Sequence, residues 1–196
     1  MTRRSRILSI ALLPLLASCI TTYREFPTAM VGQPPVSKPY GTLAYHINPF
    51  PVVNSGGQMA LENTFRERTP FAKTRLVNET PAQGLFCLVD VEWRPFSLPA
   101  LVFGYISVST LTLLPAWSTR EGYVVHYHVL QDGKERDSFS YPITRKMGLW
   151  VGLLPFVWVN LLTYSEAEAF EATAYQFFHD AAPTFQLAAR PSLKTR

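Results

Sequence analysis

Apolar and polar residues alternate along several short stretches, which is the pattern of strands that bury one face. In 41–48, Leu43, Tyr45 and Ile47 fall on one side. In 85–94 the alternation is nearly strict: the predicted inner face consists of Leu85, Cys87, Val89, Val91 and Trp93, and charged residues lie on the other face. The sequence Asp132-Gly133 is typical of a tight hairpin turn between two further strands. The pattern therefore predicts strands over 41–48, 73–79, 85–94, 122–131 and 134–144.

Two other stretches have helical periodicity. Ser55 is placed as the N-cap of a helix that runs to Arg68, before Pro70 ends it. A second helix is predicted over 165–182, because Ser165-Glu166-Ala167-Glu168 is a capping box. Its predicted packing stripe is Ala167, Phe170, Ala174, Phe177, Phe178 and Ala181. The order of elements predicts an α+β fold, with a mixed or antiparallel sheet and two helices packed on one face.

Two stretches carry no formal charge, and we call them the first arm (95–119) and the second arm (147–165). Each contains Leu-Leu-Pro followed shortly by a tryptophan. They flank the predicted hairpin, so closing the hairpin brings them side by side at its open end. Exposed apolar surface of this extent marks interaction sites. The predicted interaction surface consists of Leu113, Leu114, Pro115, Trp117, Leu153, Leu154, Pro155, Val157 and Trp158.

The relation of the arms to a membrane stays open at this point. About 20 apolar residues suffice for a transmembrane helix, and the stretches 98–117 and 147–164 approach that length. Prolines interrupt both arms, and valine, isoleucine, threonine and serine dominate 105–112, which argues partly against spanning helices. The alternatives are a buried or surface-lying apolar hairpin, a segment that dips into one leaflet, and two true spans. The flanking tryptophans suit the last two, because indole prefers the headgroup level.

The N-terminus has the organisation of a secretory signal. Arg3, Arg4 and Arg6 precede an apolar stretch over 7–16, which is too short to span a bilayer. The small residues of Leu16-Ala17-Ser18-Cys19 follow it directly. This box resembles the lipobox of bacterial lipoprotein precursors.

The resemblance implies that Cys19 is diacylated on its sulfur, becomes the N-terminus after cleavage and is acylated again on its amine. Several acyl chains anchor a protein stably, whereas one does so only marginally. Ile20 follows the cysteine in place of the aspartate that, in enteric bacteria, resembles a retention signal for the inner membrane. The expected location is therefore the outer membrane, with the body facing the periplasm.

The predicted organisation has four parts. Residues 1–18 are the signal peptide, and 19–40, with four prolines, form a lipidated tether. A single domain follows over 41–182, and 183–196 form a flexible tail. Removing 1–18 takes three of the 18 basic residues away and leaves them nearly balanced against 14 acidic ones, so no nucleic-acid partner is expected.

Little in the sequence points to catalysis. Cys87 is expected in the core as an inert thiol, and there is no disulfide framework. His126 and His128 lie two apart on one strand and so share a face, as two metal ligands would. A third ligand would have to come from Asp132, Asp137 or His46, and a polar surface pair is the alternative. No recognised hydrolase, Walker or Rossmann pattern is present, and the Asp90 and Glu92 carboxylates are interpreted as a solvated face.

Two hypotheses follow. The first is a non-enzymatic envelope lipoprotein without a cofactor, which binds a partner protein or lipid through its apolar arms as an accessory subunit of an envelope assembly or transport system. The alternative is a periplasmic hydrolase that acts on an envelope polymer. A hydrolase would require a convergent set of polar residues in a cleft.

Overall fold

Six strands form one mixed sheet in the computed structural model, which describes residues 19–33, 37–38, 40–51 and 55–189. The predicted signal peptide, 1–18, lies outside the described residues. The strands are β1 (Cys19–Arg24), β2 (Tyr40–Ile47), β3 (Phe71–Leu76), β4 (Leu85–Arg94), β5 (Ala116–Gln131) and β6 (Lys134–Leu149). Their order in the sheet is β1-β6-β5-β4-β2-β3.

Four helices accompany the sheet in the described part of the chain, α1 (Ser55–Glu67), α2 (Leu98–Ser109), α3 (Glu166–Asp180) and α4 (Ala182–Ala189). Residues Thr28–Met30 form a short 3-10 turn, and Val151–Leu162 form a longer 3-10 segment. The fold is therefore a mixed α/β arrangement. The predicted elements at 41–48, 55–68, 85–94 and 165–182 are confirmed within a few residues. The hairpin predicted over 122–144 is also confirmed, but both of its strands are longer than expected.

The direction of pairing follows from what joins the strands. β2 pairs with β3 in parallel because helix α1 lies between them and returns the chain to the same end of the sheet. β2 also pairs with β4 in parallel. β5 and β6 are joined by Asp132 and Gly133, which both have positive φ, as the two central residues of a tight hairpin turn require.

Contacts divide the chain into two compact units. Unit 1 contains the described residues up to Arg24, together with Arg94–Gly122 and Thr144–Ser165. Unit 2 contains the described parts of Glu25–Trp93 and Glu166–Arg196, together with Tyr123–Ile143. The predicted single domain, 41–182, contributes to both units.

An aromatic cluster fills the core of unit 2. The ring of Tyr127 on β5 stacks on Phe177 of α3 at 4.4 Å between centroids, and its hydroxyl bonds the Thr173 hydroxyl at 2.9 Å. Phe65 of α1 stacks on the same tyrosine at 6.3 Å. The packing stripe of α3 is confirmed at Phe170, Ala174, Phe177, Phe178 and Ala181, whereas Ala167 is exposed.

Three local predictions need correction. Residues 19–24 were expected to belong to a free tether, but they form β1, and Tyr23 and Phe26 are buried. The flexible tail was expected from residue 183, but α4 continues to Ala189 because Phe185 is buried against Phe71 and Phe177. Trp93 was placed on the inner face of β4 and is instead partly exposed near the end of the strand.

Candidate functional site

Both apolar arms and Cys19 belong to unit 1. The first arm contains α2, which begins after Ser97 and has a proline in its first turn, where the missing amide proton costs no hydrogen bond. It ends at Ser109 with Thr110 as its C-cap, and the next two residues, Leu111 and Thr112, have left-handed φ values that turn the chain away. The β-branched residues at 105–112 thus did not prevent a helix.

Helix α2 exposes apolar side chains around most of its circumference. Tyr105 is 78% exposed, and the only buried residue of the helix is Ser107, whose hydroxyl donates to the Leu114 carbonyl at 2.7 Å. The other exposed apolar residues of the helix are Leu98, Leu101, Val102, Phe103, Ile106 and Val108. A helix that is apolar on all sides is normally covered by protein or lipid.

An apolar groove of about 570 Å³ lies along this helix within unit 1. Its walls come from α2 and Phe96 before it, the start of β5 and the end of β6, and Ser118 is the only serine or threonine among the residues that line it. Trp117 borders the groove and stacks on Phe103 with 5.9 Å between ring centroids. The lining residues are Phe96, Ala100, Leu101, Gly104, Tyr105, Val108, Ala116, Trp117, Ser118, Met147 and Leu149.

The second arm holds β1, the edge strand of the sheet. Asn160 accepts a bond from the Thr21 amide at 2.8 Å and donates one to the Cys19 carbonyl at 2.9 Å. The Thr163 hydroxyl donates to the Thr21 carbonyl at 2.9 Å, and the Tyr23 amide donates to the Tyr164 carbonyl at 3.2 Å. These contacts satisfy backbone groups that an edge strand otherwise leaves unpaired.

Hydrogen bonds join residues 112–113 of the first arm to residues 150–151 of the second. The Val151 amide donates to the Thr112 carbonyl at 2.9 Å, and the Trp150 indole donates to the Leu113 carbonyl at 3.2 Å. Contact between the arms is therefore made by backbone carbonyls of 112–113.

The residues of the predicted surface differ in exposure. Leu113, Leu114, Pro115, Trp117, Pro155, Val157 and Trp158 are exposed, whereas Leu153 and Leu154 are half-buried. Sequence reasoning did not single out the exposed residues of α2, nor Phe156, Leu161 and Leu162. These residues could have been predicted from the absence of charge over the whole of each arm. None of the helices in the described residues is long and apolar enough to cross a membrane.

Cys19 is the first described residue and lies at the end of β1, half-buried, with its sulfur 3.3 Å from the Thr21 hydroxyl. It lies directly opposite Leu149 in the antiparallel pair β1–β6. The predicted lipidation site is therefore next to a residue that lines the apolar groove.

An ion pair between a buried carboxylate and a partly exposed arginine also belongs to unit 1. The fully buried Glu121 accepts a bond from Arg145 Nε at 2.8 Å, and the guanidinium lies 5.8 Å from the Phe96 ring centroid. Burial lowers the pKa of Arg145, but the hydrogen bond and charge of Glu121 outweigh it and hold that pKa above its usual range. Arg145 therefore stays a guanidinium cation beside Glu121 at physiological pH.

His126 and His128 share a face, as predicted, with 6.4 Å between ring centroids. Each has its own carboxylate neighbour: His126 Nε2 is 3.5 Å from Glu92, and His128 Nδ1 is 2.8 Å from Glu135. Asp132 instead accepts a bond from the Gly84 amide. Within the described ranges, no three histidines, cysteines or carboxylates come together as metal ligands would.

The other candidate residues named from the sequence are Cys87 and the two carboxylates of β4, Asp90 and Glu92. Cys87 is fully buried, which confirms its predicted place in the core, and burial raises the pKa of its thiol well above the usual value. Asp90 accepts a bond from the Asn48 side chain at 3.4 Å. Both carboxylates of β4 thus have polar neighbours within unit 2.

No protein-family model matches the sequence, and no curated protein matches it. Among solved structures, two of the PelC dodecamer from Paraburkholderia phytofirmans, one of a point variant, are similar at 11% identity. The match covers 88% of this chain and 99% of that chain, with a TM-score of 0.29. At this TM-score the likeness carries no argument about fold or function.

Proposed function

We propose that the protein is a non-enzymatic lipoprotein of the bacterial envelope, anchored by acyl chains on Cys19 at the periplasmic face of the outer membrane. Its apolar arms contact the leaflet that holds those chains. In that position it serves as an accessory subunit of an envelope assembly or transport system. The observation that carries the proposal is the presence of Cys19 and both arms in one unit.

The geometry of β1 supports this arrangement. Asn160 and Thr163 of the second arm bond the backbone of Cys19 and Thr21, so acyl chains on Cys19 would start beside that arm. A free tether of 22 residues would have allowed the body to stand away from the lipid. A cysteine fixed in a strand instead keeps unit 1 at the membrane surface.

The exposed side chains suit an interface with lipid. Trp117 is 60% exposed and Trp158 is 54% exposed, and tryptophan is enriched at the headgroup level of membranes. Exposed apolar patches larger than a few hundred Å² mark interaction sites on soluble domains. The described residues of both arms, 95–119 and 147–165, carry no formal charge that would oppose insertion.

We also propose that α1 and α3 form one helical layer on one face of the sheet in unit 2. Phe65 of α1 and Phe177 of α3 both stack on Tyr127 of β5, and Phe65 also contacts Phe178 at 5.1 Å. Two helices that contact the same strand side chain lie on the same side of that strand.

The test combines lipid labelling with vesicle binding. Metabolic labelling with a palmitate analogue should mark the wild type and leave Cys19→Ser unmarked. The Cys19→Ser protein should still co-sediment with vesicles of phosphatidylethanolamine and phosphatidylglycerol. Adding Leu114→Asp and Val157→Asp should reduce this binding by roughly tenfold or more, because charged residues insert poorly into lipid. These residues are 50% and 37% exposed, so the fold should persist.

A matched control introduces the same charges elsewhere. Met59→Asp and Leu76→Asp replace apolar residues of unit 2 with comparable exposure, and vesicle binding should remain unchanged. Equal labelling of wild type and Cys19→Ser would contradict the anchor. Undiminished vesicle binding by the arm variant would contradict the lipid contact, and loss of a co-purifying envelope protein in that variant would assign the surface to a protein partner.

A further inference from the structure

The pairing of β1 with β6 fixes where the side chain of Cys19 points. Directly opposed residues of an antiparallel pair place their side chains on the same face of the sheet. Cys19 is opposite Leu149, and Thr21 is opposite Met147. The contact of the Cys19 sulfur with the Thr21 hydroxyl agrees with this, since residues two apart share a face.

That face is the one on which the apolar groove opens. Leu149 and Met147 both line the groove, with α2 opposite them. The intervening Gly148 points the other way, where a Cβ would lie 3.5 Å from the Leu153 side chain. The second arm therefore lies on one face of the sheet where β1 pairs with β6, and the groove and the Cys19 sulfur lie on the other face.

The groove suits an alkyl chain. Its volume of about 570 Å³ lies in the range of pockets that take small ligands, about 300–1,000 Å³. Its walls are aliphatic and aromatic, and neighbouring strands are only about 4.8 Å apart. A chain attached to the Cys19 sulfur therefore begins one strand spacing from the wall formed by Leu149.

We infer that the groove of unit 1 holds one acyl chain of the diacylglyceryl group on Cys19, while the other chains enter the leaflet. The inference rests on the proposed lipidation of Cys19. The sulfur-linked group is the occupant, because the sulfur shares the face of Leu149 and Met147, whereas an amine-linked chain would leave along the strand axis. Unit 1 thereby shelters part of its own anchor and fixes its orientation to the membrane.

Photo-crosslinking within the full-length protein tests this occupancy. Cells are grown with a fatty acid that carries a diazirine, membranes are irradiated, and the monomeric protein is digested for mass spectrometry. We expect crosslinks from the lipidated N-terminal peptide to peptides that contain Leu101, Val108 or Met147. Crosslinks to phospholipid alone would overturn the inference.

A pair of variants on α2 sharpens the test. Gly104 lines the groove and an added Cβ there meets no atom within 4 Å, so Gly104→Trp is chosen to direct an indole into the groove. Displacing about two methylenes should lower groove occupancy, and hence the crosslinks to Met147, roughly tenfold. Val102→Trp adds the same side chain at an exposed position outside the lining, and the crosslinks should persist.

The possible results distinguish a failure of the proposed lipid anchor from a failure of the groove to hold an acyl chain. If the wild type takes up no labelled lipid, the proposed anchor itself is wrong. If the lipid is incorporated but crosslinks to α2 and β6 are absent, the anchor stands and the groove is not its site. Unchanged crosslinks in Gly104→Trp would likewise overturn the inference, and limited proteolysis shows that both variants are folded.

Discussion

Asp180, at the end of α3, shows how one side chain links stability to pH. Its carboxylate accepts bonds from the Tyr141 hydroxyl at 2.7 Å and from Gln176 at 2.6 Å, and His179 lies 3.1 Å away. Partial burial raises the pKa of Asp180, but these bonds outweigh it and leave the pKa below its usual value. The deprotonated form is therefore the one that the fold stabilises.

The contribution of Asp180 to the free energy of unfolding is therefore larger at neutral pH than in acid. A depressed folded pKa adds stability that is fully present above the unfolded pKa, about 3.9, and is lost as pH falls through the folded value. Asp180→Asn should remove this contribution, so its deficit in unfolding free energy against wild type should be larger at pH 7 than at the lowest pH at which both fold. Urea unfolding at both pH values measures it. Glu79→Gln, at an exposed position, is the control. An equal deficit of Asp180→Asn at both pH values would contradict the expectation.

At the scale of elements, the close approach of α1 to α3 depends on a residue without a side chain. A Cβ on Gly57 would lie 2.5 Å from the ring of Phe170, which is fully buried and cannot swing aside. Gly57→Ala should therefore destabilise the protein by about 1–3 kcal/mol through overpacking. Urea unfolding gives the value.

Gly104 of α2 provides the matched comparison. It also lies inside a helix, but an added Cβ meets open space. Gly104→Ala should stabilise the protein by roughly 0.5–1 kcal/mol, because alanine loses less backbone entropy on folding. Opposite signs for the two variants are the expected result, and a shared sign would refute the packing explanation.

The edge strand β1 depends on the second arm. Asn160→Ala removes two hydrogen bonds to the β1 backbone, each worth about 0.5–1.5 kcal/mol net. The amide of Thr21 should then exchange with solvent faster, roughly tenfold or more, in hydrogen-exchange measurements. Asn63→Ala makes the same change on α1 in unit 2 and should leave that amide unaffected. Unchanged protection of Thr21 in Asn160→Ala would show that β1 does not need the arm.

At the scale of the whole molecule, the proposed outer-membrane location rests on Ile20, which follows the cysteine that we propose is acylated. We expect the wild type to band with the outer membrane on a sucrose gradient. Ile20→Asp should shift it to the inner membrane, because aspartate there resembles the retention signal. Ile20→Ser tests whether β1 tolerates a polar residue and should remain in the outer membrane. Wild-type protein in the inner-membrane band would contradict the sorting argument.

The sequence alone determined those elements whose signals are local. The near-strict alternation of 85–94, the Asp132-Gly133 turn and the aromatic stripe of α3 each lie within a few residues, and the structure shows all three. The absence of charge in the arms likewise pointed to an apolar surface, and most of the named residues are exposed.

Only the tertiary structure decided how these elements combine. Strand β1 forms because β6 and the second arm supply partners more than 100 residues away, and no local pattern in 19–24 encodes them. Helix α4 is held because Phe185 packs on Phe177 of the preceding helix and on Phe71 of the distant strand β3. The same long-range pairing sets Cys19 opposite Leu149, so the proposed seating of an acyl chain in the groove depends on strand register, which periodicity within one segment cannot specify.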